Sequence, residues 1–112
     1  MTLSRDEKLA LLKEFGALKE GHFVLASGKH SGHYVQVAMI TQYPTALARL
    51  IEGAIADLKK RLSFTTMFTP AIGGVPVAQT AAQLADCRII FAERNSENKM
   101  ELRRGFTLAK GE

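Results

Sequence analysis

The chain has 112 residues, is 46% hydrophobic and 23% charged, and carries a formal net charge of +4. That size and balance describe one globular domain, not a disordered tail or a multidomain array. No apolar run reaches the ~18 residues of a membrane helix, one cysteine excludes an internal disulfide, and the charged start is unlike a signal peptide, so the cytoplasm is the expected compartment.

In chain order, residues 4–19 read as a first helix. Ser4 and Glu7 have capping-box spacing, and Leu9, Leu12, Phe15 and Leu18 keep a helical period. Residues 21–26 and 33–40 read as two strands of a hairpin, joined by turn residues with a basic tip at Lys29 and His30. On the second strand Tyr34, Gln36 and Ala38 should share one face, and Val35, Val37 and Met39 the other. His30 and His33 are spaced like metal ligands, but zinc sites want three or four ligands and no further set is evident around the pair, so no metal ligand is assigned.

Pro44 opens a long amphipathic helix with Leu47, Leu50, Ile51, Ala54, Ile55, Leu58 and Leu62 on one stripe. Lys59, Lys60 and Arg61 suit the negative end of its dipole as a solvated terminus. Residues 64–69 form a strand, 70–74 a tight loop, 75–85 a short helix, and 87–92 a second strand with Cys87 buried at its start. Strand, glycine loop, helix, strand is a βαβ unit, which makes the two strands parallel and the fold α/β.

Two places invite chemistry. Gly73-Gly74, at the start of a helix, is either ordinary turn geometry or a place where backbone N–H groups approach a phosphate; no G-K-[ST] follows, so it is not a P-loop. Arg94 ends the neighbouring strand, and in a parallel sheet both loops open on the same ligand edge. The structural alternative is Arg94 paired with Glu93 or Glu97. From Glu93 to Arg104 the basic residues Arg94, Lys99, Arg103 and Arg104 are interleaved with Glu93, Glu97 and Glu101, which suits a small anionic substrate and not a nucleic-acid groove. The polar loop 95–99 has no anchor side chain and is expected to be mobile without ligand.

Four blocks together, at residues 21–31, 70–74, 91–94 and 99–106, resemble the orotate phosphoribosyltransferases in order and spacing. The resemblance implies a type I phosphoribosyltransferase fold, a parallel sheet core with an N-terminal hood: helix and hairpin at 1–43, start of the α/β core at 44–112. It implies transfer of phosphoribosyl from phosphoribosyl pyrophosphate to orotate, giving orotidine monophosphate and pyrophosphate, with Mg2+, in pyrimidine biosynthesis, by a homodimer without nucleic-acid or membrane partners. Ile72, Gly73 and Gly74 match the pyrophosphate-holding loop, Arg94 and Lys99 the closing loop that carries catalysis, and Lys29 and Tyr34 the orotate pocket. Many members have lysine where this chain has Ala26; Lys29 is the candidate substitute. The family's two-acid, Thr/Gly-rich ribose-phosphate motif does not occur here, so the chain reads as truncated and inactive alone. The alternative is a non-catalytic relative that senses a nucleotide or binds RNA.

Overall fold

The computed structural model describes residues 2–112. Its first helix, α1 (Arg5–Glu14), starts where the capping box places it: Glu7 N–H donates to Ser4 Oγ at 3.1 Å and Ser4 N–H to Glu7 Oε1 at 3.2 Å. It ends five residues before the sequence reading does. Gly16 takes φ +74°, Gly16 N–H donates to the Lys13 carbonyl, and Ala17 N–H donates to that of Leu12. This is a Schellman stop, which glycine makes without a Cβ penalty. Leu18 and Lys19 therefore belong to β1 (Leu18–Val24), which pairs antiparallel with β2 (His30–Val35).

The second strand is also shorter than its alternation suggests. Gln36 N–H donates to the Ala17 carbonyl at 2.8 Å, and the chain turns into the short helix α2 (Ala38–Thr41). The turn buries Ile40 completely among Leu11, Ala17 and Ala46. Burying that side chain outweighs continuing an exposed hairpin.

The long helix α3 (Pro44–Arg61) has Pro44 in its first turn, and joins two apolar clusters, one at its early turns and one at its middle. Its early turns close the cluster around Ile40, with Leu50 packed against it. Further along, Ile55 packs on Ala81 and Ala85, flanked by Ile51, Phe64, Met67 and the half-buried Cys87. The end of the expected stripe, Leu58 and Leu62, is exposed. Lys59 is not simply solvated: its Nζ donates to the Ala85 carbonyl at 2.9 Å and lies 5.4 Å from the Phe64 ring centroid.

The second sheet has the order β3-β4-β5, with β3 (Thr66–Pro70) parallel to β4 (Arg88–Arg94) and β4 antiparallel to β5 (Met100–Leu102). Helix α4 (Val75–Ala85) crosses between the parallel strands and buries an alanine face, Ala78, Ala81, Ala82 and Ala85, which lets it lie close to sheet and α3. Asp86 ends it in the left-handed region, at φ 52°. The architecture is the expected α/β fold, with a sheet that is parallel at β3-β4, as the sequence reading has it, and antiparallel at β4-β5. Its radius of gyration is 16.1 Å, against about 13 Å for a compact domain of this length. The same openness shows at β3, which among the described residues has a strand neighbour on one edge and leaves Phe68 53% exposed.

Candidate functional site

Parallel pairing in the register Thr66↔Arg88 to Pro70↔Ala92 brings the ends of β3 and β4 to one edge of the sheet. Residues 71–74 leave β3 there, anchored by Ala71 N–H to the Ala92 carbonyl at 2.7 Å. The turn closes through Val75 N–H to the Ile72 carbonyl at 3.0 Å, and Gly74 becomes the N-cap of α4. No side chain caps that helix and its first turn holds no acid. Its positive end is therefore open to an anion.

The two glycines have different reasons to be glycine. A Cβ on Gly74 would run into the Thr69 hydroxyl and come within 3.2 Å of the Pro70 carbonyl, so Gly74 lets helix and strand pack closely. A Cβ on Gly73 would meet nothing within 4 Å, and Gly73 has no left-handed φ. Neither the fold nor the backbone conformation demands glycine at 73. Ile72, beside it, is 83% exposed. The turn-geometry explanation fits Gly74, and the ligand-approach explanation remains for Gly73.

The second turn on this edge joins β4 to β5. The expectation of a loop without an anchor side chain does not hold. Asn95 Oδ1 accepts from Glu97 N–H at 2.9 Å and Lys99 N–H at 3.0 Å, and Asn95 Nδ2 donates to Glu101 Oε2 at 3.2 Å. Asn95 N–H also donates to the Lys99 carbonyl at 2.8 Å. Such an asparagine-centred turn had a sequence signal, since Asn side chains bond their own backbone a few residues on.

The four cations of this stretch fall into two kinds. Arg104 holds Glu93 bidentately, Nε to Oε2 at 2.8 Å and Nη2 to Oε1 at 2.9 Å, and stands 5.7 Å from the Phe91 ring centroid. That hydrogen-bonded guanidinium keeps the Glu93 carboxyl below the usual carboxylate range and raises Arg104 in turn. Arg103 Nε donates to Glu101 Oε1 at 2.8 Å; hydrogen bonds from Asn95 first, then Arg103, keep the Glu101 carboxyl low. Arg94 pairs with neither Glu93 nor Glu97: its Nη1 donates to the Asn98 carbonyl at 2.9 Å. Lys99 meets Glu97 at 3.6 Å with both side chains largely in solvent, a pairing worth little. Arg94, which meets no carboxylate, and Lys99, whose pairing with Glu97 is loose and solvent-exposed, are thus the two cations of the stretch not held by a hydrogen-bonded carboxylate.

Lys29 and Tyr34 stand on the other sheet. Lys29 is exposed in the turn 25–29, which is closed by Leu25 N–H to the Lys29 carbonyl at 2.8 Å. Tyr34 lies 5.6 Å from Phe23, ring to ring, with its hydroxyl 3.4 Å from Gln36 Nε2. Sequence reasoning missed Thr69, the buried hydroxyl under Gly74, because nothing local links the two.

No family model matches the chain. Among curated proteins, the orotate phosphoribosyltransferase of Acidithiobacillus ferrooxidans is 44% identical, over 98% of this chain and 57% of that protein. The one from Caldicellulosiruptor bescii is 41% identical over the same shares. Among solved structures, the UMP synthase of Leishmania donovani superposes with a TM-score of 0.70 at 21% identity, over 87% of this chain and 22% of that one. The chain spans a little over half the length of the curated relatives it matches. Over that amino-terminal half it is a homologue of the orotate phosphoribosyltransferase family.

Proposed function

We propose that these residues serve an orotate phosphoribosyltransferase, as its pyrophosphate turn, closing loop and orotate hairpin. The observation that carries this reading is Gly73. A Cβ there would meet nothing within 4 Å, and the residue stands beside an uncapped helix start, on the sheet edge that also presents Arg94. The homology supports the same assignment. The division into a hood at 1–43 and the start of a core at 44–112 belongs to this reading; Leu11, Ala17 and Ile40 of the hood pack on Ala46 and Leu50 of α3, which joins the two.

The reaction breaks a bond between an anomeric carbon and pyrophosphate, so negative charge grows on the leaving group. Donors aimed at that charge lower the barrier most when water is excluded. Backbone N–H groups at Gly73 and Gly74 and the positive end of α4 would hold the pyrophosphate. Arg94 would exchange the Asn98 carbonyl for a phosphate oxygen, and Lys99 would leave Glu97 for another. Each exchange gives up a modest contact for a charge-assisted one. Lys29 and Tyr34 would line the orotate side. Among the described residues no three His, Cys, Asp or Glu side chains are placed to hold a metal. Mg2+ fits this chain as a companion of the substrate's phosphates, which it binds with few protein carboxylates and whose charge it neutralises. Action in the cytoplasm, as a homodimer, and without nucleic acid or membrane, belongs to the same proposal; among the described residues no helix is long and apolar enough to cross a membrane.

The test uses an enzyme completed after Glu112 with the carboxy-terminal part of the Caldicellulosiruptor bescii relative. Orotidine monophosphate should form from orotate and phosphoribosyl pyrophosphate. Arg94→Ala should lower kcat by roughly 10²–10³-fold, as loss of one transition-state donor does, and leave orotate affinity nearly unchanged. Loss of orotate binding at normal turnover would overturn the role of Arg94. The 112 residues by themselves should show no turnover, since positioning of the reacting carbon can supply ~7–11 kcal/mol of the barrier.

A further inference from the structure

Two histidines that the proposed reaction does not use meet across the first hairpin. His22 Nε2 and His30 Nδ1 are 2.6 Å apart, with ring centroids 4.7 Å apart and planes inclined by 33°. A bulge makes the meeting possible. The strand register passes from Glu20↔His33 to Phe23↔Ser31, three steps on β1 against two on β2. The extra residue re-aims His22 toward His30, which is what bulges do. The sequence spacing pointed instead at His30 with His33, but His33 lies by Glu20, at 4.0 Å.

Two ring nitrogens this close cannot both present lone pairs, so a positive centre belongs between them. A proton is one choice, in an N–H···N bond. A metal ion is the other. Zn–N bonds of about 2.0–2.1 Å at a tetrahedral angle set two nitrogens about 3.3 Å apart. Both imidazoles are exposed, so small side-chain rotations supply that spacing without moving a strand.

We propose that His22 and His30 chelate a divalent late first-row cation of the Zn2+, Ni2+ or Cu2+ class, with water filling the remaining positions. Imidazole suits these ions and not Mg2+, which prefers oxygen. Among the described residues no third His, Cys, Asp or Glu joins the pair, so the site is exchangeable and not a structural zinc centre. The bound ion cross-links β1 to β2 at the root of the turn that carries Lys29.

The experiment is a titration of the 112-residue chain with ZnCl2 and with NiCl2, read by calorimetry. One saturable site is expected. His22→Gln and His30→Gln should each weaken it by about tenfold or more, since losing a ligand costs at least what losing a ligand's outer-shell partner does. His33→Gln should leave it unchanged, and MgCl2 should not compete. A second readout needs only the unaltered protein: Zn2+ should slow diethyl pyrocarbonate modification of His22 and His30 but not of His33, measured by mass spectrometry. No saturable binding up to about 1 mM Zn2+, or equal protection of all three histidines, would overturn the proposal and leave a hydrogen-bonded pair.

Discussion

Two turns share one edge of the second sheet, and they are held in opposite ways. Residues 71–74 are shaped from below: Gly74 fits because the Thr69 hydroxyl and the Pro70 carbonyl leave no space for a side chain. Residues 95–99 are shaped from within, by the amide of Asn95 and the guanidinium of Arg94. A turn dictated by the strand under it is in place before any ligand arrives and needs no reorganisation on binding. A loop closed by its own hydrogen bonds opens for the cost of those bonds alone, as a lid must.

The contrast breaks most visibly at Gly74. Gly74→Val should destabilise the chain by about 1–3 kcal/mol, the usual cost of forcing extra carbons into packed structure. Urea denaturation measures it. Thr69→Ala, which removes the obstructing hydroxyl, should recover part of the loss in the double variant. A Gly74→Val protein as stable as the parent would mean that the turn is not held from below.

Asn95→Ala addresses the other turn. It removes two backbone anchors and a bond to Glu101. Local opening should become easier by about 1–2 kcal/mol, a factor of roughly 5–30 in amide exchange at Glu97 and Lys99. The global denaturation midpoint should move far less. An equal fall in both would make this loop part of the core and end its candidacy as a lid.

The ease of reading these regions from sequence follows the range of the contacts that decide them. The capping box at Ser4 and Glu7 and the proline start of α3 depend on neighbours a few residues away, and both were legible. The parallel pair around the glycine turn joins distant residues, but it was legible too, because a strand, turn, helix and strand in succession close in one way. The alternation of Val35, Val37 and Met39 was equally clear but misleading. Burial of Ile40 against Leu11, Ala17 and Ala46 bends the chain into α2, and that contact is distant in sequence. Likewise Gly73 and Gly74 look alike as letters, and only Thr69 beneath one of them tells them apart. Gly16 and Asn95 were local signals, a helix stop and a side-chain turn, outweighed by the apolar period of the helix and the polarity of the loop.

Gly73→Val sharpens the comparison by what it leaves alone. With nothing within 4 Å of its Cβ, the substitution should change stability by no more than about 0.5 kcal/mol. In the completed enzyme it should still weaken pyrophosphate binding, because the branched side chain would stand where a phosphate must approach the backbone. Unchanged pyrophosphate affinity would return Gly73 to the status of an ordinary turn residue.

The smallest effect expected is at Glu93, and its sign depends on pH. The hydrogen bonds from Arg104 keep this carboxyl below its ordinary value in the folded chain. The unfolded chain therefore takes up the proton at higher pH than the folded one. The stabilisation is complete above the ordinary carboxylate range, near pH 4, and drains away as pH falls through the depressed folded value. Denaturation of the parent and of Glu93→Gln across this range should show a small gap at neutral pH that narrows on acidification. A gap independent of pH would mean that the side chain matters here only for its shape. The same variant asks whether Glu93 keeps Arg104 away from the ligand edge. Released from the carboxylate, Arg104 becomes a third available cation beside Arg94 and Lys99. Pyrophosphate binding in the completed enzyme should then become tighter and more sensitive to salt. If it does, the pairing of Glu93 with Arg104 limits the charge offered to the substrate to the two residues on the loop that opens.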